Sequence, residues 1–223
     1  MFFVINPDPR EVIEEYIPLN VRALLAKEIT DAYQWSELIF NNTAAFKSLR
    51  GRYKLLPEIK NLAVEFLMMQ ASKSGKLPLK YRTGYNSNHS HSFTELYDDN
   101  VLLHFNQVKS KNKCGRKAYC RDRLVKPVQS YFDIEDNSLV VEENVQKYFQ
   151  VNHGYQSETP LFISLGIPNS MGILEGRISL LDEITVIEGA RPVSQVKEID
   201  DFDFEDFQRF AEGAEENDKQ QSS

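Results

Sequence analysis

An α+β fold is predicted: an N-terminal helical layer packed on an antiparallel or mixed β-sheet, followed by an acidic C-terminal tail. Three observations predict it. Apolar residues recur at three- and four-residue steps through the first third of the chain. From residue 76 the texture changes to short aromatic and β-branched runs punctuated by turn residues. From about Lys197 acids dominate. Helical periodicity followed by strand texture in one chain of this length suits a single core, not two. The expected organisation is one domain over residues 1–196, helical over 10–75 and β-rich over 76–187, with a partly disordered tail over 197–223.

Phe2 to Ile5 is a short apolar run and reads as an extended start. Asn6-Pro7-Asp8-Pro9 stops it, because two prolines so close forbid a helix there. Arg10 to Ile17 then reads as a short helix that ends near Pro18. Asn20 is a candidate cap for a longer helix whose stripe is Val21, Leu24, Leu25, Ile29, Ala32, Tyr33, Trp35 and Ile39. Asn41-Asn42 is a stop, and Thr43 a candidate cap for a short segment through Leu49. Pro57 suits the first turn of another helix, with Glu58 at its positive end. Its stripe is Ile59, Leu62, Ala63, Phe66, Leu67 and Met69 or Gln70, and Gly75 lies where a C-terminal cap glycine belongs.

Leu77 to Tyr85, Ser92 to Tyr97 and Val101 to Val108 read as strands, with Asp98-Asp99-Asn100 as a hairpin turn between the last two. Gln146 to Gly154 and Leu161 to Ile167 read as further strands. Tyr131 to Glu143 is ambiguous, and Ile178 to Ile187 suits helix or strand.

The formal net charge is −7, but its distribution matters more than its total. Residues 109–126 hold eight basic residues and one acid, together with both cysteines. Residues 197–223 hold ten acids and three bases, so the tail supplies the whole excess and the body is neutral. A low isoelectric point therefore does not exclude a polyanion as ligand. Lys113, Arg116, Lys117, Arg121 and Arg123 are candidate phosphate contacts, and Tyr119 a candidate stacking surface for a base. In the tail, Phe202, Phe204, Phe207 and Phe210 sit among acids. Four phenylalanines are more than a solvating tail needs. They are expected to dock on a protein partner, acidic or basic, or on the basic stretch itself.

A second chemistry is spelled by Val101 to Lys109, an apolar strand ending in Gln107-Val108-Lys109. Metal-dependent nucleases of the PD-(D/E)xK type place an acid and a lysine at such a strand end, with another acid upstream. On that reading Glu95, Asp99, Gln107 and Lys109 would form the site and Mg²⁺ would be the cofactor; otherwise no cofactor is expected. Gln107 stands where an acid is usual. His89, His91, His104, Cys114 and Cys120 are zinc-ligand types, but the cysteines are spaced more widely than zinc sites prefer, and no metal site is expected. Asn152 and His153 stand at a strand end, where a base or ligand role competes with turn chemistry. No Walker loop, dinucleotide glycine pattern, nucleophile elbow or H-E-x-x-H is present. Nothing reads as a membrane span or secretion signal, so a cytoplasm with reduced thiols is expected.

Asn88-His89, the hairpin through Gln107-Val108, Gly115-Arg116-Lys117-Ala118, Arg121 and Tyr131-Phe132 resemble a bacterial and prophage protein family of unassigned function. His153-Gly154 and Leu165-Gly166-Ile167-Pro168 extend the similarity to about half the chain. The resemblance implies a bacterial or phage setting near mobile elements, and brings no catalytic residues. Three function classes are expected: a non-catalytic nucleic-acid-binding or regulatory protein, in a setting of phage–host conflict; the divalent-metal nuclease; and a protein-only inhibitor or antitoxin.

Overall fold

The computed structural model describes residues 2–5, 7–43, 53–86, 90–116, 122–125, 130–133, 138–141, 146–154, 157–188 and 204–212. It is an α+β architecture in which helices cover one face of a six-stranded mixed sheet.

The strand β1 (Phe2–Ile5) leads into helix α1 (Pro9–Tyr16). Asp8 caps α1 by accepting the Arg10 amide at 2.9 Å, and Pro9 fills the first helical position, where no amide is needed. The closely spaced prolines thus start a helix as well as ending a strand. Helix α2 (Leu19–Asn42) begins directly after Pro18 without a side-chain cap, so Asn20 lies inside it. Val21, Leu25, Ile29, Ala32, Tyr33 and Trp35 of the predicted stripe are buried, Leu24 and Ile39 are half-buried, and Ala26 and Phe40 extend it. Helix α3 (Leu56–Lys73) ends as expected: Gly75 adopts φ +73°, and its amide returns to Ser72 O at 3.1 Å. Its inward face differs from the predicted stripe. Leu62 is exposed, while Lys60 and Met68 are fully buried.

Two buried cations tie the helical layer together. Arg22 forks onto both oxygens of Glu183 at 2.8 Å and donates to Ile17 O at 2.7 Å. This bidentate geometry satisfies a guanidinium that would otherwise be costly to bury. Lys60 lies over the Tyr33 ring and donates to Glu37 at 3.0 Å and to Ser157 O at 2.5 Å. Neither pair is visible in apolar periodicity, which marks both positions only as stripe residues or surface.

The sheet contains β2 (Lys80–Tyr85), β3 (Ser92–Tyr97), β4 (Val101–Gln107), β7 (Lys147–His153), β8 (Ile163–Pro168) and β9 (Leu174–Ser179), in that spatial order. β4 and β7 are parallel, and every other pairing is antiparallel. The ambiguous stretch 131–143 supplies β5 (Ser130–Asp133) and β6 (Ser138–Val141), which form a separate three-stranded antiparallel sheet with β1. Ile178 to Ile187 divides: its start ends β9, and the rest is helix α4 (Leu180–Glu188). Odd-numbered residues of β4 and β7, such as Leu103, Phe149 and Val151, face the helices and join the core.

The tail contributes helix α5 (Phe204–Ala211). Phe207 is buried with its ring centroid 4.4 Å from Trp35 and 5.4 Å from Phe66, and Phe210 packs on Phe66. These contacts seat α5 on the helical layer. The predicted seat on the basic stretch is therefore not the one taken by residues 204–212, because their aromatic face has a better apolar partner in α2 and α3. Phe202 and residues 213–223 lie outside the described residues, as does the segment 44–52 after Thr43. No helix among the described residues is long and apolar enough to cross a membrane.

Trp35 is the chain's single tryptophan, so it reports on this contact. Phe207→Ala is expected to shift Trp35 emission to longer wavelength and to destabilise the fold by about 3 kcal/mol. Unchanged emission would show that α5 does not cover Trp35.

Candidate functional site

The helices pack on one face of the sheet, and the other face is occupied by polar residues that are themselves buried. Strand periodicity puts Glu95 of β3, His104 and Asn106 of β4, Tyr148, Gln150 and Asn152 of β7, and Ser164 of β8 on that face. The register then aligns them. Arg82 is the cross-strand partner of Glu95, Glu95 of His104, and His104 of Gln150.

The aligned groups are joined by hydrogen bonds. Arg82 Nε donates to Glu95 Oε2 at 2.6 Å, and His104 Nε2 lies 2.5 Å from Glu95 Oε1. His104 Nδ1 is 3.0 Å from the Tyr148 hydroxyl, which accepts from Gln150 Nε2 at 3.0 Å. Gln150 Oε1 accepts the Gly115 amide at 3.0 Å. With the His104 proton on Nε2, each donor in this chain finds an acceptor: imidazole to carboxylate, phenol to imidazole, amide to phenol, backbone to amide. Burial alone would raise the Glu95 carboxyl. The bonds from His104 and Arg82 outweigh it and hold Glu95 below the usual carboxylate range.

The row anchors the first part of the basic stretch. After β4 the chain turns at the C-terminal ends of the parallel pair, where the Val108 amide donates to His153 O at 3.1 Å. It then runs back across this polar face. Asn152 Nδ2 donates to Lys113 O at 2.9 Å, and the Cys114 amide donates to Gly172 O at 3.0 Å. Lys113 also forms a β-bridge with Ile173. Gly115 is required for this approach, because a Cβ there would come within 2.4 Å of Asn106 Oδ1. Lys109, Lys111, Lys113 and Arg116 are exposed on the segment so held. Beside it lies a cleft of about 160 Å³ lined by Gly115, Arg116, Asp122, Gln150, Ser170 and Gly172 among others.

The structure brings Lys113 and Arg116 together on this segment, and Arg123 is exposed nearby in sequence. Lys117, Tyr119 and Arg121 lie outside the described residues. The four nuclease candidates are not brought together. Glu95 is on the polar face, within the row. Gln107 faces the helical side, because it is an odd number of residues from His104 on the same strand. Asp99 is in the β3–β4 turn, at the far end of a strand about 20 Å long. Lys109 is on the basic segment, two residues past β4. Asp98 accepts the Asn100 and Val101 amides at 2.7 Å, so the acidic turn is structural. No group of three or more His, Cys, Asp or Glu residues among the described residues is placed to hold a metal ion.

His153 serves the other face. Its Nδ1 is 2.9 Å from the Tyr33 hydroxyl, which itself donates to Gly154 O. The Tyr33 oxygen then takes the Nδ1 proton, leaving Nε2 as a buried lone pair without a partner among the described residues. Burial, reinforced by Lys60 and only partly offset by a Gly154 backbone bond, pushes the imidazole down to about 4. Burial likewise raises the Tyr33 phenol.

Sequence reading missed Tyr148, Gln150 and Asn106, and marked Asn152 only as a strand-end candidate beside His153. The signal was present: polar residues at every second position, His-x-Asn in one strand and Tyr-x-Gln-x-Asn in another. It takes on meaning only once β4 and β7 are known to be neighbours. Comparison with family models, with curated proteins and with solved structures finds no match.

Two outcomes are expected. Tyr148→Phe leaves His104 Nδ1 and Gln150 Nε2 buried without that partner and should cost about 2 kcal/mol in urea unfolding; an unchanged midpoint would mean the row is not closed. For His153, the folded-state value lies below the unfolded value of 6.5. Its contribution is therefore complete above pH 6.5 and is lost as pH falls toward 4, by about 3 kcal/mol. Denaturation at stepped pH should show this loss in the wild type and not in His153→Gln. A loss of equal size in both would assign it elsewhere.

Proposed function

We propose that this protein is a non-catalytic nucleic-acid-binding protein whose contact surface is the basic segment 109–116 that lies over the polar sheet face. One observation carries the reading: the segment is bonded to strands and a turn at Lys113 O, Cys114 N and Gly115 N, and carries exposed Lys109, Lys111, Lys113 and Arg116. Cations held in place lose less entropy on meeting phosphates than cations on a free loop. Neutralising about four phosphates gives a steep salt dependence, with affinity falling roughly a hundredfold between 50 and 200 mM salt. The basic residues Lys117, Arg121 and Arg123 continue the same charge in the sequence.

The expected result is binding of short DNA or RNA duplexes and single strands that weakens along a linear log–log salt plot. Removing Lys111 and Lys113 together as alanines should lower the slope by about two. Gly115→Ala, which lifts the segment off Asn106, should weaken binding about tenfold without abolishing folding. Absence of binding at 50 mM salt, or binding indifferent to salt, would contradict the reading and leave an acidic protein as the partner to test.

A further inference from the structure

We propose that the cleft beside the basic segment admits one unpaired cytosine, so that the protein binds single strands and selects among bases. This rests on the nucleic-acid reading above and adds a site to it. Gly115 and Arg116 belong both to the basic segment and to the cleft wall. A strand whose phosphates lie along Lys111 and Lys113 therefore passes the cleft mouth.

Size sets the ligand. About 160 Å³ is smaller than the ~300 Å³ at which pockets for drug-sized ligands begin. It suits one ring and not a run of nucleotides. Gly115 and Gly172 present backbone without side chains, and Pro168 gives a flat apolar surface, so a planar ring can lie close.

Charge sets the chemistry. Asp122 lines the cleft together with Arg116 and Ser170. A phosphate entering would meet the carboxylate, whereas an exocyclic amino group would donate to it. Arg116 and Ser170 offer donors for a carbonyl or ring nitrogen. Cytosine carries an amino donor beside two such acceptors. Thymine carries a carbonyl where cytosine has its amino group, which would face Asp122 with no proton between them. A paired base cannot enter, because its edge is occupied and it is stacked.

The test is fluorescence anisotropy with labelled oligo-dC and oligo-dT of about twelve nucleotides at one salt concentration. Full-length wild type is expected to bind oligo-dC about five- to tenfold more tightly. Asp122→Ala removes the acceptor, and Ser170→Phe fills the cleft; each should bring the ratio close to one. Lys111→Ala should weaken both oligonucleotides equally and leave the ratio intact. Equal binding of the two by wild type, or a preference that survives both cleft variants, overturns the cytosine site while the Lys111 effect keeps the basic-segment reading. No binding of either oligonucleotide overturns both.

Discussion

The parallel pairing of β4 with β7 is the constraint on which the rest of this structure depends. It sets His104 beside Gln150 and Asn106 beside Asn152 on one face, and Leu103 beside Phe149 on the other. A slip of one residue in this register would send every polar group into the helical core and every core residue to the polar face. The apolar side is over-determined by contacts with α1, α2 and α3. That certainty on one face fixes the polar row on the other.

The row in turn changes what the basic stretch is. Buried polar groups cost free energy unless they are bonded, and here the bonds are completed by backbone from outside the sheet. Gln150 needs the Gly115 amide, and Asn152 needs the Lys113 carbonyl. A segment that would otherwise be a solvated loop becomes part of the sheet's own hydrogen-bond closure. The backbone that carries its lysines and arginine is held by side chains buried under it. The tail follows a different logic. Its helix covers Trp35 and Phe66 on the opposite, helical side, so the described acids of the tail and the described cations of residues 109–116 sit on different sides of the sheet.

Much of this was legible from the chain alone. Helices α1 to α3, the hairpin at Asp98-Asp99-Asn100 and the strands β3, β4, β7 and β8 are written in local pattern. Local pattern is what 3.6- and 2-residue periods report. The parallel pairing was not legible, because residues 104 and 150 are brought together by topology, not by spacing. The buried cations Arg22 and Lys60 were hidden for the same reason: their partners Glu183 and Glu37 are distant in sequence. Glu95 and Gln107 looked like one constellation because they flank one hairpin. Strand alternation put them on opposite faces.

Native-state hydrogen exchange at the Cys114 and Gly115 amides tests the central claim most directly. Both donate across to other elements, to Gly172 O and Gln150 Oε1. If the basic segment closes the polar row, these amides exchange slowly, with protection approaching that of β7 itself. Exchange at the rate of an unstructured loop would contradict the account, since the cations would then have no fixed surface to present.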